Sequence, residues 1–416
     1  MSQPIINDLP RQNIPALIGV PTLAQLAFDG DDLSKIGEVL LARIRENEFD
    51  VNALMDIALV LLLRGQPEAA RVMRQLAISS QQLYHYPRPA KPARVRLLAL
   101  YGPGDLMANS PLEFLLENQP VALDLLHITP ERGLPATVPE HDVLMVAVAE
   151  SDENQALLGQ LDQALADWPR PVINRPARIR ALSRDSVCQQ LAGLPGVVMP
   201  PTLRISHTRL QACCHVGQED SALSQQLPGL AYPVILRPID SHAGSSLSRL
   251  ETSAQLRAYL LDSAEREFFI SNFIDYRSVD GKYRKCRMML IDGAPHVSHM
   301  AVSSRWMVHY LNADMLENAE HRDEEARFME SFASGFAQRH AQAIAAIAQQ
   351  LDLAYVGMDC AETPDGKLLV FEADSNMVVH NMDGAEKFAY KKVWMPKLFD
   401  AFTAMLLRHA ASGSAR

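Results

Sequence analysis

A chain of 416 residues with 48% hydrophobic residues and a formal net charge of −10 is too long for one ordinary core and is expected to fold as two or three globular domains. The acidic balance argues against a general nucleic-acid or membrane-surface binder. No apolar run reaches bilayer-spanning length, since the longest, at 57–63, stops at Arg64 and Gly65. The N-terminal MSQPIINDLPRQ lacks a basic-then-apolar signal pattern, and five cysteines are an odd number in a chain too large to need staples. A reducing, cytoplasmic setting is the natural expectation. The adjacent Cys213 and Cys214 read as buried free thiols, because neighbouring cysteines strain a disulfide; a redox pair is the alternative.

From about Asp31 to Gln82 the periodicity is helical. Leu33, Ile36, Val39, Leu40 and Ile44 form one apolar stripe, Leu54, Ile57, Ala58 and Leu61 a second, Val72, Leu76 and Ala77 a third. Gly65-Gln66-Pro67 separates the last two, with Pro67 suited to a first helical turn. Small residues at Ala58, Ala70 and Ala77 sit where antiparallel helices would touch. The spacing resembles one tetratricopeptide-type repeat without a second clear copy, so a helical cap or dimerisation module is expected, with a partner-docking domain as the sharper alternative.

The proline-rich stretch YPRPAKPARV is an extended connector. Beyond it, strands are expected at Val95 to Leu100, Val121 to Ile128, Val143 to Ala149 and Pro169 to Asn174, with a helix at about Pro111 to Glu117. Apolar strands alternating with helices predict a parallel sheet. The loop YGPGDLMANS lacks phosphate-cradle spacing and reads as a substrate wall at the carboxyl edge of that sheet. Arg175, Arg178, Arg180 and Arg184 then lead into a helix ending near Gly193, where basic residues can meet phosphate or simply form a solvated loop.

Pro233 to Arg237 is a strand ending in a cation, followed by a small-residue loop (Ser241, His242, Ala243, Gly244, Ser245, Ser246) and a return strand. Small residues let backbone N–H groups approach phosphate oxygens. Phe268 to Ile274 is an apolar strand that turns polar at Asp275. In Lys285 to Ile291, alternation puts Lys285 and Arg287 on one face, and Asp292-Gly293 turns the chain. Between His299 and Met315, polar and aromatic residues interleave too densely for a plain surface loop, making Ser303, Ser304, Arg305, Trp306, His309 and Asn312 candidates for holding a substrate. A long amphipathic helix is expected from about Asp323 to Leu351, and another from Lys392 to His409.

Between them lies YVGMDCAETPDGKLLVFEADSN. Alternation predicts a hairpin turning at Pro364-Asp365-Gly366, with Asp359 opposite Glu372, and Glu372 and Asp374 on one face. Three such carboxylates are costly to bury without a cation, and all-oxygen ligation suits Mg²⁺ or Mn²⁺. The alternative is a solvated hairpin with acids on its wet face.

In this order the parts resemble the ATP-grasp superfamily of carboxylate–amine ligases, such as D-alanine–D-alanine ligases, glutathione synthetases and ribosomal-protein glutamate ligases, from roughly Val95 to His409. The resemblance implies an α/β ATP-grasp fold, with a parallel α/β pre-ATP-grasp domain (93–175) and two α+β subdomains clamping ATP (176–410, flap subdomain about 200–270). An all-α, tetratricopeptide-like region (1–90) precedes it. It implies an ATP- and Mg²⁺-dependent (or Mn²⁺-dependent) enzyme that phosphorylates a carboxylate and couples the acyl phosphate to an amine, releasing ADP.

Carried over by residue, Arg237 stands where a phosphate-binding lysine is usual, and Ser241, Gly244, Ser245 and Ser246 form the flap. Ser271, Asn272, Phe273 and Ile274 form the hinge beside adenine, and Asp275 falls where ribose is often held. Lys285 joins the nucleotide site. Arg287 is the cation on the transferring phosphoryl group, with Arg305 as a second catalytic candidate. Asp359 and Glu372 are the metal ligands. Asp374 replaces a usual asparagine, an extra charge that would tighten cation binding or change metal preference, and Asn376 joins the substrate residues. Arg180 or Arg184 substitutes for a lysine that is absent at Ser186. The expected partners are a small-molecule or peptide carboxylate and an amine, with a homodimer contact or protein partner on the N-terminal helices. The rival readings are a non-catalytic ATP-binding scaffold and a kinase that stops at phosphoryl transfer.

Overall fold

The computed structural model describes residues 14–87, 89, 92–214, 220–239 and 246–413. The flap residues Ser241, Gly244 and Ser245 lie outside the described residues.

Four helices open the described chain: α1 (Val20–Phe28), α2 (Ser34–Glu46), α3 (Val51–Leu63) and α4 (Pro67–Ser80). Asp50 caps α3 by accepting from the Ala53 N–H at 2.9 Å, and Pro67 starts α4 without wasting a donor. α3 is apolar nearly all round because it packs against α1, α2 and α4. Ala58, Ala70 and Ala77 are buried, which lets two backbones approach. Two of the expected stripes are corrected: Val39, Val72 and Leu76 are exposed, since the alanine side of α4 faces inward. A tetratricopeptide likeness finds no support beyond the α3–α4 hairpin.

The first sheet contains β1 (Leu83–His85), β2 (Val95–Tyr101), β3 (Val121–His127), β4 (Val143–Val146) and β5 (Val172–Ile173), in the order β1-β3-β2-β4-β5. β3, β2, β4 and β5 are parallel and β1 is an antiparallel edge. β2 and β4 are apolar runs because both faces are covered. The chain leaves β2 on one side and returns to β4 on the other, so the loops after these two strands frame a crevice at a switch point. Asn109 stitches the crevice: its Oδ1 accepts from Gly102 N at 2.6 Å, while Ser110 N donates to Ala147 O at 2.7 Å.

After β6 (Val197–Val198) come three strands of the second sheet, β7 (Thr202–Ser206), β8 (Val234–Pro238) and β9 (Ser248–Leu250). β10 (Glu267–Asn272) completes it in the antiparallel order β7-β10-β8-β9. Its own small core includes Leu210, Leu223, Leu236, Leu256 and Phe268. The third sheet adds β11 (Tyr283–Ile291), β12 (Ala294–Ser303), β13 (Tyr355–Glu362) and β14 (Leu368–Asp374), in the order β12-β11-β13-β14-β6. It shares one continuous core with the first sheet. Asn174 ties the two: its Nδ2 donates to Tyr355 O at 2.7 Å and its Oδ1 accepts from Tyr355 N at 3.1 Å. The architecture is thus mixed α/β, a parallel sheet followed by two α+β units.

The single helix expected between Asp323 and Leu351 is three: Ala319–Ser331, Phe336–Arg339 and Ala341–Leu351. At Gly335 a Cβ would stand 2.9 Å from Ser331 O, so the chain folds back where only glycine fits. The C-terminal helix runs Lys391–Gly413. All five cysteines are buried and unbridged. No helix among the described residues is long and apolar enough to cross a membrane.

Candidate active site

The site is built across the middle strands of the third sheet. Arg287 on β11 stands opposite Asp359 on β13, which stands opposite Glu372 on β14. Directly opposed residues share a face. Lys285, two residues before Arg287, joins that face. Asp359 Oδ2 receives Lys285 Nζ at 2.9 Å and its Oδ1 receives Arg287 Nε at 2.9 Å, while Arg287 also donates to Val378 O at 3.2 Å. Glu372 is ion-paired with Arg184, the first residue of the helix Arg184–Leu191.

Burial works against the charge on Asp359, whose side chain is 4% exposed, but Arg287 and Lys285 outweigh it and hold the carboxyl well below the usual range. Glu372 is likewise lowered: burial is overcome by Arg184, with Asp359 opposing. From β8 of the second sheet, Arg237 has its pKa pushed down by burial and by Arg184. Four cations, Arg184, Arg237, Lys285 and Arg287, therefore come together from two sheets and one helix around two carboxylates. His299 faces Arg287 across the β11–β12 ladder, and burial, then Arg287, keeps it neutral.

The expectation that three acids converge on one cation is corrected. Among the described residues, no group of three or more His, Cys, Asp or Glu side chains is placed to hold a metal ion. Asp359 and Glu372 face each other, each holding a protein cation. Asp374 is raised to about 7, by burial and then by the Glu372 charge. The donor chemistry still fits a hard divalent cation: two opposed carboxylates and no sulfur or imidazole among them.

The hinge residues span the end of β10 and the two residues after it. Ser271 lies in the β10–β8 ladder, and Phe273 N donates to Pro233 O at 3.0 Å. The Phe273 ring is covered by the Arg249 guanidinium at 3.9 Å and meets Trp306 edge-on. Ile274 packs in the same small cluster. Two hinge side chains are engaged within the protein. The Asn272 side chain braces the preceding loop, accepting from Ala231 N at 2.9 Å and donating to Gly229 O at 2.7 Å. Asp275 is held by Arg277, whose Nε lies 2.9 Å away. Ser246 has φ 56, and its carbonyl accepts from Tyr259 Oη at 3.1 Å.

The expected substrate residues do not form one group. Ser304, Arg305, Trp306 and Asn312 line a cavity of about 440 Å³ at the far end of β11 and β12, together with Tyr283 and Arg277. Ser303 is buried, its hydroxyl accepting from Arg305 N at 3.1 Å. His309 and Asn312 cap a short turn, each accepting from the other's neighbourhood: His309 N donates to Asn312 Oδ1 at 2.9 Å and Leu311 N to His309 Nδ1 at 3.3 Å. Asn376 lies elsewhere, donating from Nδ2 to Met107 O at 2.6 Å. There, with Asp374, it lines a second cavity of about 630 Å³ walled by the crevice loops and by α3 and α4.

No protein-family model matches the chain, and no curated protein matches it. Among solved structures it is similar to a RimK domain protein ATP-grasp from Sphaerobacter thermophilus DSM 20745, at 14% identity and TM-score 0.40 over 75% of this chain and 99% of that one. It is similar to the D-alanine–D-alanine ligase from Bacillus anthracis complexed with ATP, at 13% and 0.42 over 76% and 99%. The D-alanine–D-alanine ligase from Coxiella burnetii stands at 11% and 0.44 over 77% and 96%.

Several cavity residues stand outside the motifs and spacings of the sequence. Arg74, Tyr84, Glu113 and His127 line the larger cavity. A glutamate inside the apolar PLEFLL and a histidine ending an apolar strand were the available signals, of the same kind that marked Asp359.

Proposed function

We propose that the chain is an ATP-dependent ligase of the ATP-grasp type, activating a carboxylate as an acyl phosphate and joining it to an amine. The observation that carries this reading is the in-register row of Arg287, Asp359 and Glu372, extended by Lys285, Arg184 and by Arg237 from the facing sheet. Such a row supplies fixed positive charge where a transferring phosphoryl group spreads negative charge over its oxygens. A carboxylate oxygen of the substrate attacks the γ-phosphorus and the bond to the β-bridging oxygen breaks, releasing ADP. The amine nitrogen then attacks the acyl carbon, the carbon–oxygen bond to phosphate breaks, inorganic phosphate leaves, and the ammonium proton passes to solvent.

In this reading, Arg237 and Lys285 hold phosphate oxygens, Arg287 stabilises the group in flight, and Arg184 exchanges Glu372 for phosphate when nucleotide arrives. Asp359 and Glu372 would hold Mg²⁺, which on binding supplies charge neutralisation between phosphates. The larger cavity ends at Asp374, two residues from Glu372. A pocket beside the phosphoryl site gives room for a bound substrate, which a scaffold does not need; an amide product, and no stable phosphorylated one, separates the ligase from a kinase. An ADP-release assay with Mg²⁺ and pooled carboxylate and amine substrates tests the reading. Turnover that Glu372→Ala abolishes supports it; ATP binding without turnover over a broad panel sinks it.

A further inference from the structure

Two chemically distinct groups line the larger cavity. Arg74 of α4 has Glu113, Tyr101, Tyr84 and His127 as its charge neighbours at one end, and Asp374 has Glu150 and Asn376 at the other. Met55, Leu59 and Leu62 of α3 supply an apolar flank between helices and sheet.

At the first end, three buried polar atoms have no hydrogen-bond partner: Arg74 Nε, the Tyr84 hydroxyl and His127 Nδ1. Tyr84 is 0% and His127 2% exposed. Buried polar groups are normally paired, and leaving one unpaired costs about 1–3 kcal/mol. Three beside one cavity mark where an occupant could complete the pairing once the lining side chains shift to admit it. Arg74 Nη1 meets only the soft Met55 Sδ, at 3.6 Å, and among the described residues no carboxylate stands within ion-pair range of it. Glu113, the acid that acts on it most strongly, is engaged by the Tyr101 hydroxyl at 2.8 Å. A guanidinium, a phenol and a neutral imidazole form a donor set for a carboxylate. At the other end, Asp374 supplies an acceptor for an amine, with Glu150, which also accepts from Gln155 Nε2 at 3.0 Å, beside it.

Building on the ligase reading, we propose that this cavity holds the amine substrate. Its occupant is an amino acid or short peptide with its terminal carboxylate on Arg74, Tyr84 and His127 and its amine at Asp374. The helical region is then a wall of the acceptor pocket, and Arg74 is a specificity-determining residue contributed from outside the α/β body. A cavity of about 630 Å³ falls in the roughly 300–1,000 Å³ range of small-ligand pockets.

The test is calorimetric titration of the full chain with the common amino acids and alanyl dipeptides, each as free acid and as carboxamide, with and without Mg²⁺ and a non-hydrolysable ATP analogue. Wild type should bind at least one acid tighter than its amide by on the order of 10- to 100-fold, the worth of a hydrogen-bonded charge. Arg74→Ala should bind acid and amide alike. Tyr84→Phe, which removes a single oxygen, should narrow the preference severalfold, and Leu59→Trp should block binding without touching a polar group. The proposal is overturned if no member of the panel binds under either condition, if wild type treats acid and amide equally, or if folded Arg74→Ala keeps the preference. Failure of the nucleotide analogue to bind wild type would sink the ligase reading instead, and would leave amino-acid binding standing.

Discussion

Replacing Arg287 with methionine separates its structural duty from its chemical one. Its guanidinium makes two contacts to Asp359, at 2.9 and 3.3 Å, and one to Val378 O at 3.2 Å. Removing one partner of a buried ion pair costs about 3–5 kcal/mol. Lys285 still holds Asp359 at 2.9 Å, so the loss belongs at the lower edge, about 3 kcal/mol. Arg287→Lys keeps the charge but not the fork and should cost about half as much. Turnover should respond more steeply, because donors aimed at developing charge are worth on the order of 10²- to 10³-fold each and arginines on a transferring phosphoryl group more. Urea denaturation gives the first quantity and ADP release at saturating ATP the second. A folded Arg287→Met protein that turns over within about tenfold of wild type would refute the assigned role.

Asp56 offers a pH signature in the helical region. It is buried and accepts from Ile18 N at 2.7 Å and Gly19 N at 3.1 Å, yet desolvation raises its pKa from 3.8 to about 6. A raised carboxyl binds its proton more tightly when folded, so its stabilising contribution is complete below about pH 4 and is lost as pH rises through 6. At about 1.4 kcal/mol per pH unit, wild type should lose about 3 kcal/mol relative to Asp56→Asn between pH 4 and 7; parallel stability profiles would contradict this. Asn174→Ala should cost about 2–3 kcal/mol in denaturant titrations, because it strips both Tyr355 backbone groups of their partners at a residue with φ 54. A loss under 1 kcal/mol would mean that the first and third sheets are joined chiefly by apolar packing.

The hairpin was the most legible part of the sequence, because both strand alternation and the Pro364-Asp365-Gly366 turn act locally. Together they brought Asp359 close to Glu372, while the pairing itself depends on a β-bulge between Asp359 and Cys360, without which Asp359 would face Phe371. Alternation alone set Lys285 and Arg287 on one face. What alternation does not encode is who pairs with whom. Arg184, 188 residues from Glu372, and Arg237 reach the site only through sheet packing. The interleaved stretch from His299 to Met315 divides: Ser304, Arg305, Trp306 and Asn312 line a separate cavity, while His309 and Asn312 cap a turn. The role of α3 and α4 was invisible for a related reason: periodicity reports which face of a helix is apolar, and says nothing about a lone arginine such as Arg74 set against a distant sheet.

The Ser110 hydroxyl donates to Ser375 O at 2.6 Å, and Asn376 reaches Met107 O on the same loop. The segment just after the acidic strand is thereby bolted to the switch-point crevice. In the ligase reading, a shift of the sheet that carries Arg237 would therefore not by itself strain this seam, which is held by its own hydrogen bonds.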